Sequence, residues 1–274
     1  MKKITLQFAI LLLIISSCQN KNHSNPNNGN QISSNDTLFD IIRGETVHET
    51  EDSLWFSPYE ERIPKVRKIF RKGNEYTYKA KYYSQNKEIL SENNIYLIAT
   101  GKRIEFAPET QDKVFYRYEN YEQDSIKLHD HKINPSLQIW TEKAVEGIIE
   151  NEEEIWIHPM RQNQYKFTEV APFPTIKFPL NIGKSWESTV NIFEGYGEWD
   201  NKSVVSNYEI TGQVEFKYKN KLFNCWIIYA EAIFEDGNSS LELLFNENLG
   251  IVKMKYQNYE SEELVIELID NKST

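Results

Sequence analysis

The chain has 274 residues and carries 31 Lys and Arg against 41 Asp and Glu, a formal net charge of −10. That balance argues against nucleic acid as a partner and against adhesion to anionic lipid headgroups. The length is ample for one large domain or two small ones, and 16 Tyr, 14 Phe and 6 Trp suit strands.

Residues 1–17 read as an export signal. Met1-Lys2-Lys3 is a short basic start, and an apolar run follows from Phe8 to Ile15. That run is too short for a stable span, and Ser16-Ser17 supplies small residues before a cleavage point. Cys18 comes directly after them, so Ile15-Ser16-Ser17-Cys18 resembles the lipobox of bacterial lipoproteins, with Ile15 where Leu is usual. The resemblance implies a diacylglyceryl group on the Cys18 thiol and a further fatty acyl chain, such as palmitate, on the new amino terminus. Several chains anchor firmly, because each buried methylene contributes about 0.8 kcal/mol. Gln19 rather than Asp follows the cysteine, which favours the outer membrane of a cell envelope over inner-membrane retention. The mature chain loses Lys2 and Lys3, leaving 29 Lys and Arg against 41 Asp and Glu, a formal −12.

Residues 18–37 are polar and nearly free of large apolar side chains, so they read as a disordered tether from lipidated Cys18. Residues 38–272 read as a single β-rich globular domain. Thr37–Ile42 is a candidate short helix, and Lys143–Glu150 a candidate helical turn. Glu75–Tyr82 alternates, as do Val214–Lys219, Val252–Tyr256 and Glu263–Leu268, with charge on the face opposite the apolar one. Period-two patterning of this kind predicts antiparallel strands, one side buried and one wet. Further strands are expected at Ile95–Ala99, Arg103–Phe106, Val114–Tyr118, Ile126–His129, Ile155–His158, Tyr165–Val170 and Ile176–Pro179. Lys219-Asn220-Lys221, Glu235-Asp236-Gly237-Asn238 and Asn248-Leu249-Gly250 mark hairpins, so the last seventy or so residues read as a meander of at least four strands. So many strands need closure or a second layer. The expectation is a mostly β chain with little helix: one large antiparallel curved sheet or half-barrel, with a two-sheet β-sandwich as the alternative.

Chemistry is harder to find. His129-Asp130-His131 puts two imidazoles on one side of a strand, a spacing found in some metal sites, but no third ligand is fixed. Glu154, Trp156 and His158 share a face opposite Ile155 and Ile157, so an acid, an indole and an imidazole could line a cleft or simply form a polar patch. Trp156, His158, His129 and His131 are therefore the binding-surface candidates. Gly183-Lys184-Ser185 ends like a phosphate loop, but Phe178 stands where the upstream glycine is required. No catalytic residue, cofactor site or metal site is assigned. Cys225, in the apolar run Phe223–Ile228, has no partner once Cys18 is lipidated and reads as a buried thiol.

Pro172-Phe173-Pro174, Phe178-Pro179-Leu180 and Gly183-Lys184-Ser185-Trp186 form the most distinctive stretch, with Phe173, Phe178 and Trp186 as anchors onto a core. Together with Phe245–Lys253 and the lipobox, it resembles uncharacterised β-rich envelope lipoproteins of Bacteroidota-type bacteria, mainly over residues 150–270. The resemblance implies no catalytic residues. It also gives meaning to Asp36-Thr37-Leu38, Asp52-Ser53-Leu54 and Asp124-Ser125-Ile126, which resemble the acceptor triplet of Bacteroidota O-glycosylation. The function expected is a non-enzymatic binding or assembly module held at the membrane by acyl chains, with a glycan, an apolar ligand or an envelope protein as partner. The alternative is a glycan-directed hydrolase using paired carboxylates. Replacing Cys18 with Ala is expected to move the protein from the membrane fraction to the soluble fraction; continued fractionation with membranes would contradict lipidation at this residue.

Overall fold

The structure is a computed structural model describing residues 69–105, 107, 111–128, 140–193, 196, 199–234 and 237–273. The expectations for residues 1–68, including Cys18, the tether and the Thr37–Ile42 helix, lie outside the described residues, as do those for Phe106, His129 and His131.

Twelve strands form one antiparallel sheet. In chain order they are β1 (Glu75–Tyr83), β2 (Ile89–Arg103), β3 (Asp112–Tyr118), β4 (Lys143–Glu150), β5 (Glu154–Ile157), β6 (Thr175–Lys177), β7 (Ser185–Asn191), β8 (Ser203–Tyr218), β9 (Lys221–Phe234), β10 (Gly237–Asn246), β11 (Gly250–Gln257) and β12 (Glu263–Lys272). Their spatial order is β6-β5-β4-β3-β2-β1-β12-β11-β10-β9-β8-β7. The expected curved antiparallel half-barrel is therefore the fold, and the two-sheet alternative is not. Each wing is a meander, and the wings meet where β1 pairs with β12.

The alternation sets the faces. Tyr76, Tyr78, Ala80 and Tyr82 of β1 are buried, as are Tyr116 and Tyr118 of β3 and Leu264, Ile266 and Leu268 of β12. The opposite face of these strands carries ion pairs such as Lys79–Glu92 at 3.1 Å and Lys255–Glu263 at 3.0 Å. Register shifts at Thr77/Tyr78, Leu244/Phe245 and Ile210/Gly212 add the local bends that curl such a sheet. Gly250, at φ +81°, ends the β10–β11 turn where a Cβ would meet Ile69 Cγ2 at 2.7 Å, so the position requires glycine on both counts.

The concave face is filled by the chain itself. After β5 the chain leaves the sheet and forms a 3₁₀ helix, Asn163–Val170, before returning as β6. Phe167 packs between the rings of Tyr82 and Tyr256, at 5.8 and 6.3 Å, and Tyr165 lies 6.1 Å from Tyr118. Wall side chains then satisfy the backbone of this plug. The hydroxyls of Tyr116, Tyr208 and Ser239 donate to the carbonyls of His158, Phe173 and Val170, at 3.0, 2.9 and 3.2 Å. Buried carbonyls of an irregular segment need such partners.

Three expectations are corrected here. Tyr165–Val170 is not a strand: seven of the eight residues of the 3₁₀ helix are buried, so no wet face remains to alternate with. Ile126 lies in a helix, α1 (Tyr121–Lys127), not in a strand. The helix turns Asp124 and the following Leu128 inward and leaves Ile126 80 % exposed. Lys143–Glu150 is not helical but strand β4, paired along β3 from Arg117↔Lys143 to Asp112↔Ile148.

The edge strands β6 and β7 are consecutive in sequence, and a strap over residues 178–184 joins them. Its Gly183 N–H donates to Ile210 O at 2.8 Å, and the Lys184 ammonium donates to the carbonyls of Lys177, Phe178 and Pro179 at 3.2, 2.7 and 3.2 Å. The Gly-Lys-Ser triplet thus ties down a strap. Phe173 is buried, Phe178 packs against Phe245 at 6.1 Å, and Trp186 stacks on Tyr208 at 5.3 Å. Cys225 is fully buried, and burial pushes its thiol up to about 11.

Because the plug replaces solvent inside the sheet, Phe167→Ala is expected to cost about 3–5 kcal/mol in urea unfolding with an unchanged m value. Ile126→Ala, on the exposed side of α1, is expected to stay within about 0.5 kcal/mol.

Candidate functional site

Two places gather unusual side chains. The first lies where the plug leaves β5. Trp156 and His158 do share a face, with rings 5.7 Å apart, and Phe173 lies 5.1 Å from the imidazole. Their neighbours come from distant sequence. Glu146 projects from β4, Arg161 from the segment after β5, and Glu169 from the 3₁₀ helix. Arg161 bridges the two acids: its Nε donates to Glu146 Oε1 at 3.0 Å and its Nη1 to Glu169 Oε1 at 2.8 Å. Nη1 also reaches Tyr196 Oη at 3.4 Å, and the Lys166 ammonium sits 4.8 Å above the Tyr196 ring.

His158 lies between the same carboxylates, with Nδ1 3.3 Å from Glu146 Oε2 and Nε2 3.8 Å from Glu169 Oε2. Neither approach is a hydrogen bond, and both Nδ1 and Glu169 Oε2 are buried without a partner. Burial, and then the Arg161 charge, hold the imidazole down to about 3, so it is neutral and these contacts are not ion pairs. Burial pushes Glu169 up to about 7, against the Arg161 charge and with Glu146 adding to the rise. Burial also raises Glu146, opposed by Arg161.

The cluster is a buried, internally paired network more than a cleft. Glu146 and Glu169 are 1 % and 4 % exposed, with Arg161 clamped across them. Among the described residues no group of three or more His, Cys, Asp or Glu is placed to hold a metal ion.

The second place is a cavity of about 420 Å³ at the rim of the sheet, lined by Ile69, Glu150, Ile155, Phe178 and Phe245, with Asn151, Glu152 and Glu247. Ile69, Ile155 and Phe245 are buried, and Phe178 is half-buried. Both oxygens of Glu150 accept backbone N–H groups, from Ile69 and Phe70, at 2.9 Å each. This carboxylate pins the start of the described chain against β4.

Sequence reasoning named Trp156 and His158 but missed Glu146, Arg161 and Glu169. No spacing links 146, 161 and 169; only the plug brings them together. The cavity was equally hidden, although Phe178 and Phe245 both fall in the segments that carry the lipoprotein resemblance. The third acceptor-like triplet, Asp124-Ser125-Ile126, falls on α1, where Asp124 is buried and bonded to Gln164 Nε2 at 2.6 Å.

No family model and no curated protein matches the sequence. Several solved structures are similar to this chain, and three of them follow. A candidate lipoprotein from Parabacteroides distasonis has 10 % identity, covers 74 % of this chain and 97 % of its own, and gives a TM-score of 0.42. A candidate exported protein with a YmcC-like fold from Bacteroides fragilis has 10 % identity, the same 74 % and 97 % coverage, and a TM-score of 0.38. The hypothetical lipoprotein YmcC of Escherichia coli has 8 % identity, covers 86 % and 98 %, and gives 0.34. All are lipoproteins or exported proteins by description, the class that the sequence resembles.

The cluster makes a signed prediction about pH. Glu169 has a folded pKa near 7 against about 4.3 unfolded, so between these values the folded state holds the extra proton, and stability rises as pH falls. His158 has a folded pKa near 3 against about 6.5 unfolded, so below 6.5 the unfolded state holds the extra proton, and stability falls as pH falls. Between about pH 6.5 and 4.5 the two slopes, each about 1.4 kcal/mol per pH unit, oppose one another. Denaturant titrations across this window are expected to show H158Q gaining stability relative to the parent on acidification, and E169Q losing it. Parallel curves for all three would contradict the protonation states given above.

Proposed function

We propose that this chain is a lipid-anchored envelope protein that acts as a binding module, holding its ligand in the rim cavity. The observation that carries the reading is that the concave face is occupied. In an open half-barrel the natural ligand site is the hollow of the sheet. Here the 3₁₀ helix and its aromatic contacts fill that hollow, and the apolar, partly open cavity beside Phe178 and Phe245 is a concavity that the described residues leave open. The location belongs to the same proposal. It rests on residues 1–18, whose order of basic start, apolar run, small pair and cysteine is that of a lipoprotein signal. The acyl chains on Cys18 would hold an acidic chain at a surface that its charge does not help it approach. The outer membrane is the favoured site, given Gln19 after the cysteine.

Hydrolysis of glycans fits the geometry less well. It needs two carboxyl groups facing one accessible cleft. Glu146 and Glu169 are a close pair, but both are tied to Arg161 and withdrawn from solvent.

A photo-reactive phenylalanine placed at Phe178, in cells carrying the intact lipoprotein, is expected to give a discrete adduct. The same residue placed at Thr211, exposed on β8, is expected to give none. Absence of an adduct from position 178 would overturn the binding reading.

A further inference from the structure

We propose that the rim cavity takes a basic, apolar peptide segment: a Lys or Arg beside a bulky apolar side chain. This rests on the binding reading above and gives its ligand a chemistry. The walls come first. Ile69, Ile155, Phe178 and Phe245 offer carbon surface, and the one amide in the lining, Asn151, already spends its Oδ1 on the N–H groups of Glu153 and Glu154, which suits an apolar side chain.

The mouth comes second. Glu152 and Glu247 line the cavity and are exposed, and among the described residues neither pairs with a cation. Glu150 differs, because its oxygens already accept two backbone N–H groups. Two carboxylates with no counter-charge among the described residues, at the lip of an apolar cavity, complement a cation carried on an apolar body. Both lie on turns held by side-chain caps. Asn246 Oδ1 accepts the N–H groups of Asn248 and Leu249 at 3.0 Å each, and Asn151 Oδ1 accepts those of Glu153 and Glu154 at 2.8 Å each. Little ordering is then left for binding to impose.

Size and net charge narrow the class. A volume of about 420 Å³ falls within the usual range for a compact ligand and holds a few side chains. A chain of formal charge −10 repels nucleic acid and anionic membrane and favours a cationic partner, and a Lys or Arg beside an apolar side chain carries that charge on a body that the walls accept.

The test uses the full mature lipoprotein in detergent and three labelled tetrapeptides, acetylated and amidated: Phe-Arg-Leu-Lys, Phe-Glu-Leu-Glu and Gly-Arg-Gly-Lys. The first is expected to bind at least tenfold more tightly than either of the others, and to weaken as salt rises. The double variant Glu152→Gln, Glu247→Gln is expected to bind it roughly tenfold more weakly with an unchanged melting temperature, since both side chains are exposed. Equal binding of the acidic tetrapeptide, an unaffected double variant, or displacement by phosphatidylethanolamine vesicles would each overturn the proposal. If the photo-adduct at position 178 forms all the same, the binding reading survives and this ligand chemistry does not. If no adduct forms, both fall.

Discussion

Everything in this structure depends on the meeting of a tyrosine-lined wall with the segment that fills it. A curled sheet of twelve strands has a concave face wider than its own side chains can cover. Left open, that face would expose a large apolar surface. Filling it with irregular chain solves the apolar problem and creates a polar one, because an irregular backbone brings unpaired carbonyls into the interior. Tyrosine answers both needs at once, with a ring for the packing and a hydroxyl for the carbonyl. Tyr116 and Tyr208 do this for the plug, and Tyr78 does the same for the Ile251 carbonyl at 3.1 Å. The abundance of tyrosine in the composition is therefore a structural requirement, and not only a mark of strand propensity.

The same reasoning explains what was legible in the sequence. The strands of β1, β3, β11 and β12 were readable because one face of each is wet: Glu, Lys and Thr alternate with Tyr, Leu and Ile. The hairpin at Lys219-Asn220 was readable because both residues take positive φ, 44° and 63°, in a two-residue turn between β8 and β9. Periodicity failed where burial is all-round. Tyr165–Val170 has the aromatic and β-branched content of a strand, yet the wall surrounds it. Ile126 misled for the opposite reason: an exposed isoleucine on a short helix carries no information about burial. The buried cluster was out of reach. His158 stood out beside Trp156, but its partners Glu146, Arg161 and Glu169 are ordinary residues in the sequence, and only the return of the plug over β4 makes them neighbours.

That cluster and the rim cavity show two ways of handling charge. In the first, burial forces the charges to be settled internally: Arg161 spans two acids, His158 is kept neutral, and Glu169 titrates near neutrality. Such networks are costly to desolvate and fix geometry more than they stabilise. Their effect here is to hold the exit of the plug against β4. In the second, exposed carboxylates sit on capped turns with no cation beside them among the described residues. Unsettled charge at a surface costs the fold little, so it remains available for something else.

The order of strands has one more consequence, for how the chain reaches this state. Each wing is built from neighbours in sequence, so most of its pairings close short loops and can form early. The seam between the wings is different. Tyr78 pairs with Leu268, so the first and last strands must find each other across nearly the whole described chain. Closing so long a loop carries an entropic penalty that no local contact repays in advance. The two meanders are thus expected to act as separate folding units, with the β1–β12 seam as the late event that turns two ribbons into one wall. Until it forms, both ribbons carry an unpaired central edge, so the vulnerable moment for misassociation falls at the middle of the sheet and not at its rims.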